Sequence, residues 1–414
     1  MTSRTDLVDS GVPWLGRVPT GWKTKPLWSM FERTKDVDHP EEQMLSVFRE
    51  FGVVAKDSRD NINKTAENRS IYQLVHPGWL VANRMKAWQG SVGISSLRGI
   101  ISGHYICFAP RHGEDNRYLN WLLRSTAYTN GYGLLSRGVR IGQAEIDNDQ
   151  LRLMPILLPP AQEQRAIADY LDRETARIDT LVEEQQRLIA MLRERRASMI
   201  GSALTPTELW DRRRIKYIGQ TNLGKMLDAG RAAREGDRMR PYVRAADVRA
   251  DGSVNLVDLN EMPFSDAEME FFDLRAGDVL LIEGGATVGR PGFVFDSVPG
   301  VAFQKTVNRL RLGEQADARF VYWSMLRLYE TAYYTTHFSA VSFVHLTGEK
   351  LREIELWLPP FDEQRAIAAH LDDQTARIDS LVAESERFIE LARERRSALI
   401  TAAVTGQIDV REAA

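Results

Sequence analysis

A duplicated segment constrains the fold of this chain more than any other feature of its sequence. Residues 158–205 and 358–405 align without a gap at an offset of 200 residues, and they are identical at 28 of 48 positions. Identity of that extent marks a tandem duplication with about 205 residues in each half. We therefore expect two halves of the same fold, each made of one domain and one copy of the repeat.

Each copy of the repeat is predicted to form one long helix. A Pro-Pro pair opens both copies, at 159–160 and 359–360, and good helix formers continue without Pro or Gly as far as Gly201 in the first copy. Gln185 and Ser385 lie at equivalent positions among the apolar residues, where a polar residue commonly fixes the register of a coiled coil. The predicted seam, which is also the predicted partner-binding surface, consists of Ile167, Leu171, Ile178, Leu181, Leu188 and Leu192 in the first copy and Ile367, Leu371, Ile378, Leu381 and Phe388 in the second. The alternative is that each helix packs only on its own domain.

The length of these helices predicts how the two halves are arranged. A helix of about 40 residues is about 60 Å long, whereas a domain of about 150 residues is only roughly 40 Å across. Domain one leads into the start of the first helix, and the link Thr205-Pro206-Thr207 begins domain two near the end of that helix. Because the halves are homologous, we expect an antiparallel pair of helices with a pseudo-twofold axis across its middle and the two domains at its opposite ends.

Outside the repeat the two halves share a layout but little sequence. The corresponding pieces GWLVANR (78–84) and GDVLLIE (277–283) predict strands, and the segments around Trp121 and Trp323 predict short helices. The predicted fold class is therefore α+β, with two pseudo-twofold-related domains separated by an antiparallel coiled coil of two long helices. The predicted boundaries are 1–157 for domain one, 158–205 for the first helix, 206–357 for domain two, and 358–414 for the second helix and the C-terminal tail.

The distribution of charge is compatible with a folded reader of nucleic acid. A formal net charge of −3 argues against an unstructured polycation. Residues 1–157 nevertheless carry 20 Lys and Arg against 16 Asp and Glu, and 16 of the 20 cations in residues 206–357 are arginine, whose planar fork suits phosphates and guanine edges. No run reaches the roughly 18 apolar residues of a membrane span, and the N-terminus lacks the pattern of a signal peptide, so we expect a cytoplasmic protein without a membrane partner.

A Gly-bounded loop follows the first of the aligned strands in each half, at 85–95 and 283–292. Such loops can approach a DNA duplex closely, and Arg, Lys and Gln are side chains that read guanine and adenine edges. A second polar stretch precedes each long helix, at 134–143 and 336–345. The predicted DNA-binding residues are Arg84, Lys86, Gln89, Ser91, Arg137 and Arg140 in the first half and Thr287, Arg290, Lys305 and Ser342 in the second. The alternative is that these residues are solvated members of ordinary exposed turns.

The sequence carries no motif of an enzyme active site. It contains no GxxxxGK[ST] phosphate loop and no Asn-Pro-Pro-Tyr-type methyltransferase motif, and its seven histidines show no metal-binding spacing. Asp278 and Glu283 could form a nuclease carboxylate pair, but no lysine follows Glu283 at the spacing that a metal-dependent nuclease needs. We therefore predict no catalytic residue and no metal site in this chain. The single cysteine, Cys107, also excludes a disulfide framework.

Two motifs carry a resemblance to a known family. The pattern LPPxxEQRAIAxxLDxxTARID followed by RERR occurs twice, and the N-terminal segment reads SGVPWLGRVPTGW. Together they resemble the specificity (S) subunits of type I restriction-modification systems over essentially the whole chain. The resemblance implies two target recognition domains, 1–157 and 206–357, that each read one half of a bipartite, asymmetric site in double-stranded DNA. It also implies a complex with two methyltransferase (M) and two restriction/translocase (R) subunits; S-adenosylmethionine, ATP and Mg²⁺ would belong to those partners, and this chain would bind no cofactor.

Three other functions stay open at this point. A non-catalytic coiled-coil adaptor would account for the long helices, but it leaves two divergent domains on a shared layout unexplained. A self-contained nuclease or methyltransferase is disfavoured by the missing motifs. An orphan or inhibitory DNA-binding relative of the same family is not distinguished from a working subunit by the sequence.

Overall fold

The computed structural model describes residues 4–58, 68–137, 144–146, 148–226, 236–338 and 344–411. The chain divides into two compact units: unit 1 consists of Met1–Gln186 and Glu386–Ala414, and unit 2 consists of Arg187–Ser385. The boundaries fall inside the two long helices. Each unit therefore combines one domain with the start of one long helix and the end of the other.

In unit 1, short strands and short helices precede the first long helix. The strands are β1 (Leu7–Asp9), β2 (Arg17–Pro19), β3 (Lys23–Pro26), β4 (Phe31–Arg33), β5 (Leu45–Phe48), β6 (Gly52–Ala55), β7 (Gln73–Val75), β8 (Leu80–Asn83), β9 (Val92–Ile94), β10 (Gly99–Ile101), β11 (Tyr105–Pro110), β12 (Ser136–Arg137), β13 (Glu145–Ile146) and β14 (Pro155–Leu158). The helices are α1 (Leu27–Met30), α2 (Asn116–Arg124), α3 (Thr126–Leu135), α4 (Asn148–Leu153) and α5 (Ala161–Ala203), the last of which continues into unit 2. Lys56–Ser58 and Ala87–Gln89 form 3-10 helices.

An antiparallel four-stranded sheet with the strand order β4-β11-β8-β9 is the framework of unit 1. In the pairing of β8 with β11, Leu80 lies opposite Phe108 and Val81 lies opposite Cys107. Leu80 and Phe108 pack into the cluster formed with α2 and α3, while Val81 and Cys107 pack into a second cluster with residues of β5 and β6. The alternation follows from the two-residue period of a strand, and it buries both faces of the sheet.

Unit 2 repeats this plan with its own strands and helices. The strands are β15 (Asp211–Arg214), β16 (Gly219–Leu223), β17 (Arg238–Val243), β18 (Asn260–Phe264), β19 (Val279–Ile282), β20 (Pro291–Phe293), β21 (Ala302–Phe303), β22 (Val307–Leu312) and β23 (Glu355–Leu358). The helices are α6 (Asp266–Phe272), α7 (Ala318–Glu330), α8 (Tyr333–His337), α9 (Gly348–Glu353) and α10 (Phe361–Val404), the last of which continues into unit 1. Ile215–Tyr217 and Ala245–Asp247 form 3-10 helices.

The main sheet of unit 2 matches that of unit 1. Its strand order is β16-β22-β19-β20, and Val279 lies opposite Leu310 as Leu80 lies opposite Phe108. A further sheet has the order β18-β17-β21, in which β17 pairs with β21 in parallel. The strands expected in both aligned segments and the short helices expected around the two tryptophans are confirmed.

The predicted long helices are confirmed, and they run antiparallel within unit 1. Helix α5 has 43 residues and α10 has 44. Nε of Arg396 lies 2.9 Å from Oδ1 of Asp179. Further along α10, the carbonyl of Val404 and that of Leu157, just before α5, both accept from the hydroxyl of Tyr118, at 3.5 and 3.0 Å. As the residue number rises along α10, the number of its neighbour at α5 falls.

Unit 2 contains the complementary ends of the two helices, and their direction is again antiparallel. Nε of Arg196 lies 3.2 Å from Oδ1 of Asp379. Later residues of α5, such as Leu204, share a hydrophobic cluster with earlier residues of α10, such as Leu371. Each unit therefore encloses the start of one helix beside the end of the other.

The residues predicted for the seam differ in burial. Ile167, Leu171, Ile178, Leu192, Leu371 and Ile378 are buried, and Ile367 is half-buried. Leu181, Leu188, Leu381 and Phe388 are instead 38%, 37%, 49% and 41% exposed, so their assignment to the seam is wrong. Ile189 and Ile389 are buried in their place, because the seam advances in alternating steps of three and four residues. The predicted polar interruption lies on this seam, since Ser385 is buried and Gln185 is half-buried.

Candidate nucleic-acid interface

The loop between β8 and β9 in unit 1 is a tight turn with two polar side chains directed to solvent. The backbone N–H groups of Gln89 and Ser91 both donate to the carbonyl of Lys86, at 3.0 and 3.1 Å. Gly90 adopts a left-handed conformation (φ 91°) that closes the turn, and Ala87 is fully buried beneath it. Lys86 and Gln89 are exposed, whereas Ser91 is 6% exposed. The turn thus holds its backbone firmly and leaves Lys86 and Gln89 free to meet a ligand.

Three charged residues, Arg84, Arg137 and Glu145, border this loop, and we call them its charged rim. Arg84, the residue directly after β8, forms an ion pair with Glu145, and the N–H of Ile146 donates to the carbonyl of Arg84 at 3.0 Å. Arg137 lies opposite Glu145 in the pairing of β12 with β13. The structure therefore brings Arg84 and Arg137, which are far apart in the sequence, to the same edge of the loop beside one carboxylate.

The equivalent loop of unit 2 connects β19 to β20. Gly289 has φ of 80°, and a Cβ at this position would lie 2.2 Å from the ring of Tyr334, so only glycine fits. Thr287 and Arg290 are half-buried, and the guanidinium of Arg290 lies 5.9 Å from the ring centroid of Tyr329. Arg290 is thus directed toward α7, and it is less accessible to a ligand than Lys86 is in unit 1.

The rim of the unit 2 loop carries a different pair of charges. Nδ1 of His345 lies 3.2 Å from both carboxylate oxygens of Glu283, and the N–H of Leu346 donates to the carbonyl of Glu283 at 2.7 Å. The N–H of Glu283 in turn donates to the carbonyl of Thr306 at 2.9 Å, and the neighbouring Lys305 is exposed. Lys305 therefore lies at the base of this loop.

The two rims share a backbone arrangement and reverse the charge at one position. The hydrogen bond from Ile146 to Arg84 corresponds to the one from Leu346 to Glu283. The residue directly after the strand is a cation, Arg84, in unit 1 and an anion, Glu283, in unit 2. The aligned pieces GWLVANR and GDVLLIE already end on these two residues. The partner His345 lies 62 positions after Glu283, and no local pattern could have linked them.

The remaining predicted contact residues divide into two groups. Arg140 and Ser342 lie outside the described residues. Ser91 is buried, so its side chain is not accessible to DNA in this structure. All ten residues stay predictions as DNA contacts.

Among the contacts that attach each domain to the start of a long helix, one pair is the same in both units. The indole N–H of Trp121 on α2 donates to Asp172 at 2.8 Å, and that of Trp323 on α7 donates to Asp372 at 2.9 Å. The two aspartates occupy the same place in the LDxxTARID motif. The sequence draws attention to the two tryptophans and to the motif, but no local pattern links them, because the members of each pair lie about 50 positions apart in different elements.

Asp278 and Glu283, the carboxylates that a nuclease could have paired, each contact a basic side chain. Asp278 is fully buried, and its two oxygens accept from Nε and Nη2 of Arg311, each at 2.8 Å. The described part of the chain contains no group of three or more His, Cys, Asp or Glu residues that could hold a metal ion. Within that same part, no helix has the length and apolar character to cross a membrane.

Each long helix also carries exposed apolar side chains at equivalent positions. Leu181, Leu188 and Met191 on α5 correspond to Leu381, Phe388 and Leu391 on α10, and all six are at least 37% exposed. Large apolar side chains left in water at regular helical steps are typical of a protein contact. These residues fit the partner-binding part of the sequence prediction better than the seam.

The two domains share a strand order, and each presents a polar loop with a charged rim beside a long helix, so the chain is a two-domain protein with an internal repeat. The family model for the "Type I restriction modification DNA specificity domain" matches residues 56–189 and 207–387. These two matches cover well over half of the chain. The chain belongs to this family, the DNA specificity subunits of type I restriction-modification systems.

Individual relatives agree with this assignment. The StySPI specificity subunit of Salmonella potsdam is 22% identical over 424 residues, which cover 95% of this chain and 90% of that subunit. The EcoBI specificity subunit of Escherichia coli is 39% identical over 70 residues, but these cover only 17% of this chain and 15% of that subunit.

Solved structures agree in fold. The HsdS subunit from Thermoanaerobacter tengcongensis matches with a TM-score of 0.57 at 16% identity, and the match covers 94% of this chain and 98% of that one. A chain from a study of complex assembly and conformational transition in a type I system matches with a TM-score of 0.73 at 15% identity, over 94% of this chain and 99% of that one. At these identities the likeness concerns the fold alone.

Proposed function

We propose that this chain is the non-catalytic specificity subunit of a type I restriction-modification complex and that it reads a bipartite, asymmetric DNA site. Unit 1 would read one half-site and unit 2 the other, and the long helices would set the spacer between them. Phosphate contacts would position each unit, and a few base-edge contacts from the loops would discriminate. The complex would act in the cytoplasm, where host DNA lies.

One observation carries the proposal: two units with the same framework present opposite charges at the same position of the rim. Arg84 of unit 1 is a donor, and a bidentate arginine suits guanine. Glu283 of unit 2 is an acceptor, and a carboxylate accepts from the amino group of cytosine and repels phosphate. The same scaffold is thus suited to different bases in its two copies, as an asymmetric target requires.

The exposed apolar residues of the long helices support docking of M subunits. The pattern occurs once on α5 and once on α10, so two equivalent copies of one partner could bind. Two R subunits would then join for cleavage. S-adenosylmethionine, ATP and Mg²⁺ would belong to these partners, because methylation of a base requires a cofactor pocket for which this sequence has no motif.

Methylome sequencing of a methylation-free host that expresses the chain with its M subunit tests the proposal. We expect one motif of two short half-sites separated by an unread spacer. Lys86→Ala with Gln89→Ala should change the preferred bases of one half-site only, and Thr287→Ala with Lys305→Ala those of the other. Lys23→Ala is the matched control, because Lys23 is exposed on β3, which pairs with the strand that leads into α5.

A contiguous motif, or a change in both half-sites from one loop variant, would contradict the proposal. Absence of any motif, together with absence of DNA binding by the S–M complex, would favour the coiled-coil adaptor instead. Specific DNA binding without methylation would favour the orphan or inhibitory relative.

A further inference from the structure

The RERR motif occurs at 193–196 and 393–396, near the end of each long helix. Its arginines differ in their surroundings. The last one is mostly covered, with side-chain exposures of 19% for Arg196 and 25% for Arg396. The preceding Arg195 and Arg395 are exposed. The last arginine of the motif is therefore the one that contacts other elements of its unit.

In unit 1, Arg396 joins three elements. Its Nε lies 2.9 Å from Oδ1 of Asp179 on α5, and its guanidinium lies 5.8 Å from the ring centroid of Trp121 on α2. The indole N–H of the same Trp121 donates to Asp172. The end of α10, the start of α5 and α2 thus meet at one tryptophan.

Unit 2 builds the same joint from the other copy of the motif. Nε of Arg196 lies 3.2 Å from Oδ1 of Asp379, and its guanidinium lies 5.9 Å from the ring centroid of Trp323. One contact is additional: Nη1 of Arg196 donates to Glu330 at 3.2 Å. Burial raises the pKa of Glu330, and the charge of Arg196 opposes that rise.

We call the loop between β8 and β9 in unit 1, and that between β19 and β20 in unit 2, the reading loop. The helix that carries each tryptophan also contacts the strand that follows the reading loop. In unit 1, Asn120 on α2 accepts from the N–H of Ile94 on β9 at 3.1 Å. In unit 2, the guanidinium of Arg319 on α7 lies 4.8 Å from the ring centroid of Phe293 on β20. A tilt of α2 or α7 on the long helices would therefore move the loop.

We propose that Arg196 and Arg396 are positioning residues that fix the angle of each reading loop on the helices, and thereby the spacer length that the complex accepts. The proposal rests on the bipartite reading proposed above. Asp179 and Asp379 are 53% and 55% exposed, and ion pairs to such exposed groups contribute little to stability. These contacts are suited to restrict the orientation of α2 and α7 on the long helices rather than to stabilise each unit against unfolding.

The test compares Arg396→Gln and Arg196→Gln with the controls Arg395→Gln and Arg195→Gln in the complex with M subunits. The substrates keep both half-sites and vary the spacer by one or two base pairs in each direction. We expect methylation at the spacers one base pair too short or too long to rise on the order of fivefold relative to the preferred spacer, since the lost contacts are of modest strength. The half-site bases and both controls should be unchanged. Arg396→Lys should fall in between, because lysine keeps the charge but loses the planar stacking.

An unchanged spacer preference in both glutamine variants would overturn the proposal, and so would a change in the half-site bases. If the wild-type complex shows no spacer preference, the bipartite function itself fails, which is a separate result. Should Arg396→Gln not fold, Asp179→Asn removes the ion pair from its exposed side. A folded Asp179→Asn variant with the wild-type spacer preference would equally overturn the proposal.

Discussion

The two units build the same sheet but differ at two positions on one of its faces, which are apolar in unit 1 and charged in unit 2. Cys107 on β11 lies in an apolar cluster that includes Trp79, beside β8. The corresponding positions in unit 2, given by the strand pairing, hold Arg309 on β22 and Asp278 before β19. Both are almost completely buried, at 3% and 0% exposure. The same strand pairing thus has an apolar centre in unit 1, at Trp79 and Cys107, and an ionic centre in unit 2, at Asp278, Arg309 and Arg311, which lies among apolar neighbours such as Leu280.

The ionic centre of unit 2 is stable only because its charges are paired. Asp278 accepts twice from Arg311, and Arg309 donates to the carbonyl of Asp273 at 2.6 Å and to Asn222 at 3.1 Å. Hydrogen bonding to Asp278 raises the pKa of Arg311, whereas burial lowers the pKa of Arg309. The comparison teaches that duplication preserved the backbone pairing and the attachment to the long helices, while the interior diverged.

The largest expected effect comes from breaking this pairing. Arg311→Met removes the guanidinium that pairs with buried Asp278 and leaves this carboxylate the backbone N–H of Arg275, so unit 2 should lose about 3–5 kcal/mol of unfolding free energy. Hydrogen exchange of β19 and β22 measures the loss. The matched control is Arg275→Met, because Arg275 is 59% exposed and its ion pair with Asp273 should contribute at most about 1 kcal/mol. Equal losses in the two variants would show that the ionic centre is not what stabilises unit 2.

The second prediction uses the only cysteine, Cys107, as a probe of the apolar centre of unit 1. Burial raises the pKa of the Cys107 thiol to about 12. An unfolded thiol titrates near pH 8.5, so at that pH only the unfolded chain has a large thiolate fraction, and native labelling should be more than about a hundredfold slower. The rate should rise with denaturant, as measured by mass spectrometry of the alkylated chain.

The cysteine probe also tests whether the two centres are independent. Arg311→Met weakens unit 2, so it should leave the labelling rate of Cys107 in unit 1 at the wild-type value. Faster labelling in that variant would mean that the units unfold together.

Sequence reasoning predicted the scaffold well because the repeat carries it. The long helices, the antiparallel direction within each unit and the strands around each loop follow from periodicity and from homology between the halves. The seam was wrong where two apolar residues are adjacent. Leu188 precedes Ile189 and Leu181 precedes Val182, and spacing alone does not decide which member of such a pair faces inward.

The ionic centre and the charged rims could not be predicted, for a physical reason. Asp278 and Arg311 are 33 positions apart, and an arginine in a short strand normally suggests an exposed face. Only the strand pairing brings the two side chains together. Such non-local pairs are chosen by the fold, and a single sequence contains no local trace of them.

The third prediction concerns the joint that both units share. Trp121→Phe and Trp323→Phe each remove a hydrogen bond to a carboxylate that is about 40% exposed. Each should cost its own unit about 1–2 kcal/mol, with nearly the same loss in both. Trp28→Phe is the control, because Trp28 is 51% exposed. Thermal unfolding with hydrogen exchange assigns the loss to a unit, and a loss in only one of them would mean that the joints are not equivalent.

The smallest effect on stability is expected at the rims, where the two units differ in sign. Arg84 is 48% exposed and its partner Glu145 41%, so Arg84→Met should change the unfolding free energy by less than about 1 kcal/mol. The same holds for Glu283→Gln, whose partner His345 is 53% exposed. Differences in DNA binding between these variants will therefore not reflect unfolding.

The sign of the change in DNA binding separates the two rims. On a duplex that lacks the target site, where the phosphates alone are bound, Arg84→Met removes a cation and should weaken binding of the S–M complex, whereas Glu283→Gln removes an anion and should strengthen it, each by less than about tenfold. Fluorescence anisotropy over a range of salt concentrations measures both, and the two effects should shrink together as salt increases, because screening weakens both charges alike. A change in the same direction for both variants would mean that at least one rim faces away from DNA. The reversed charge would then be an incidental difference between the copies and not a cause of asymmetric reading.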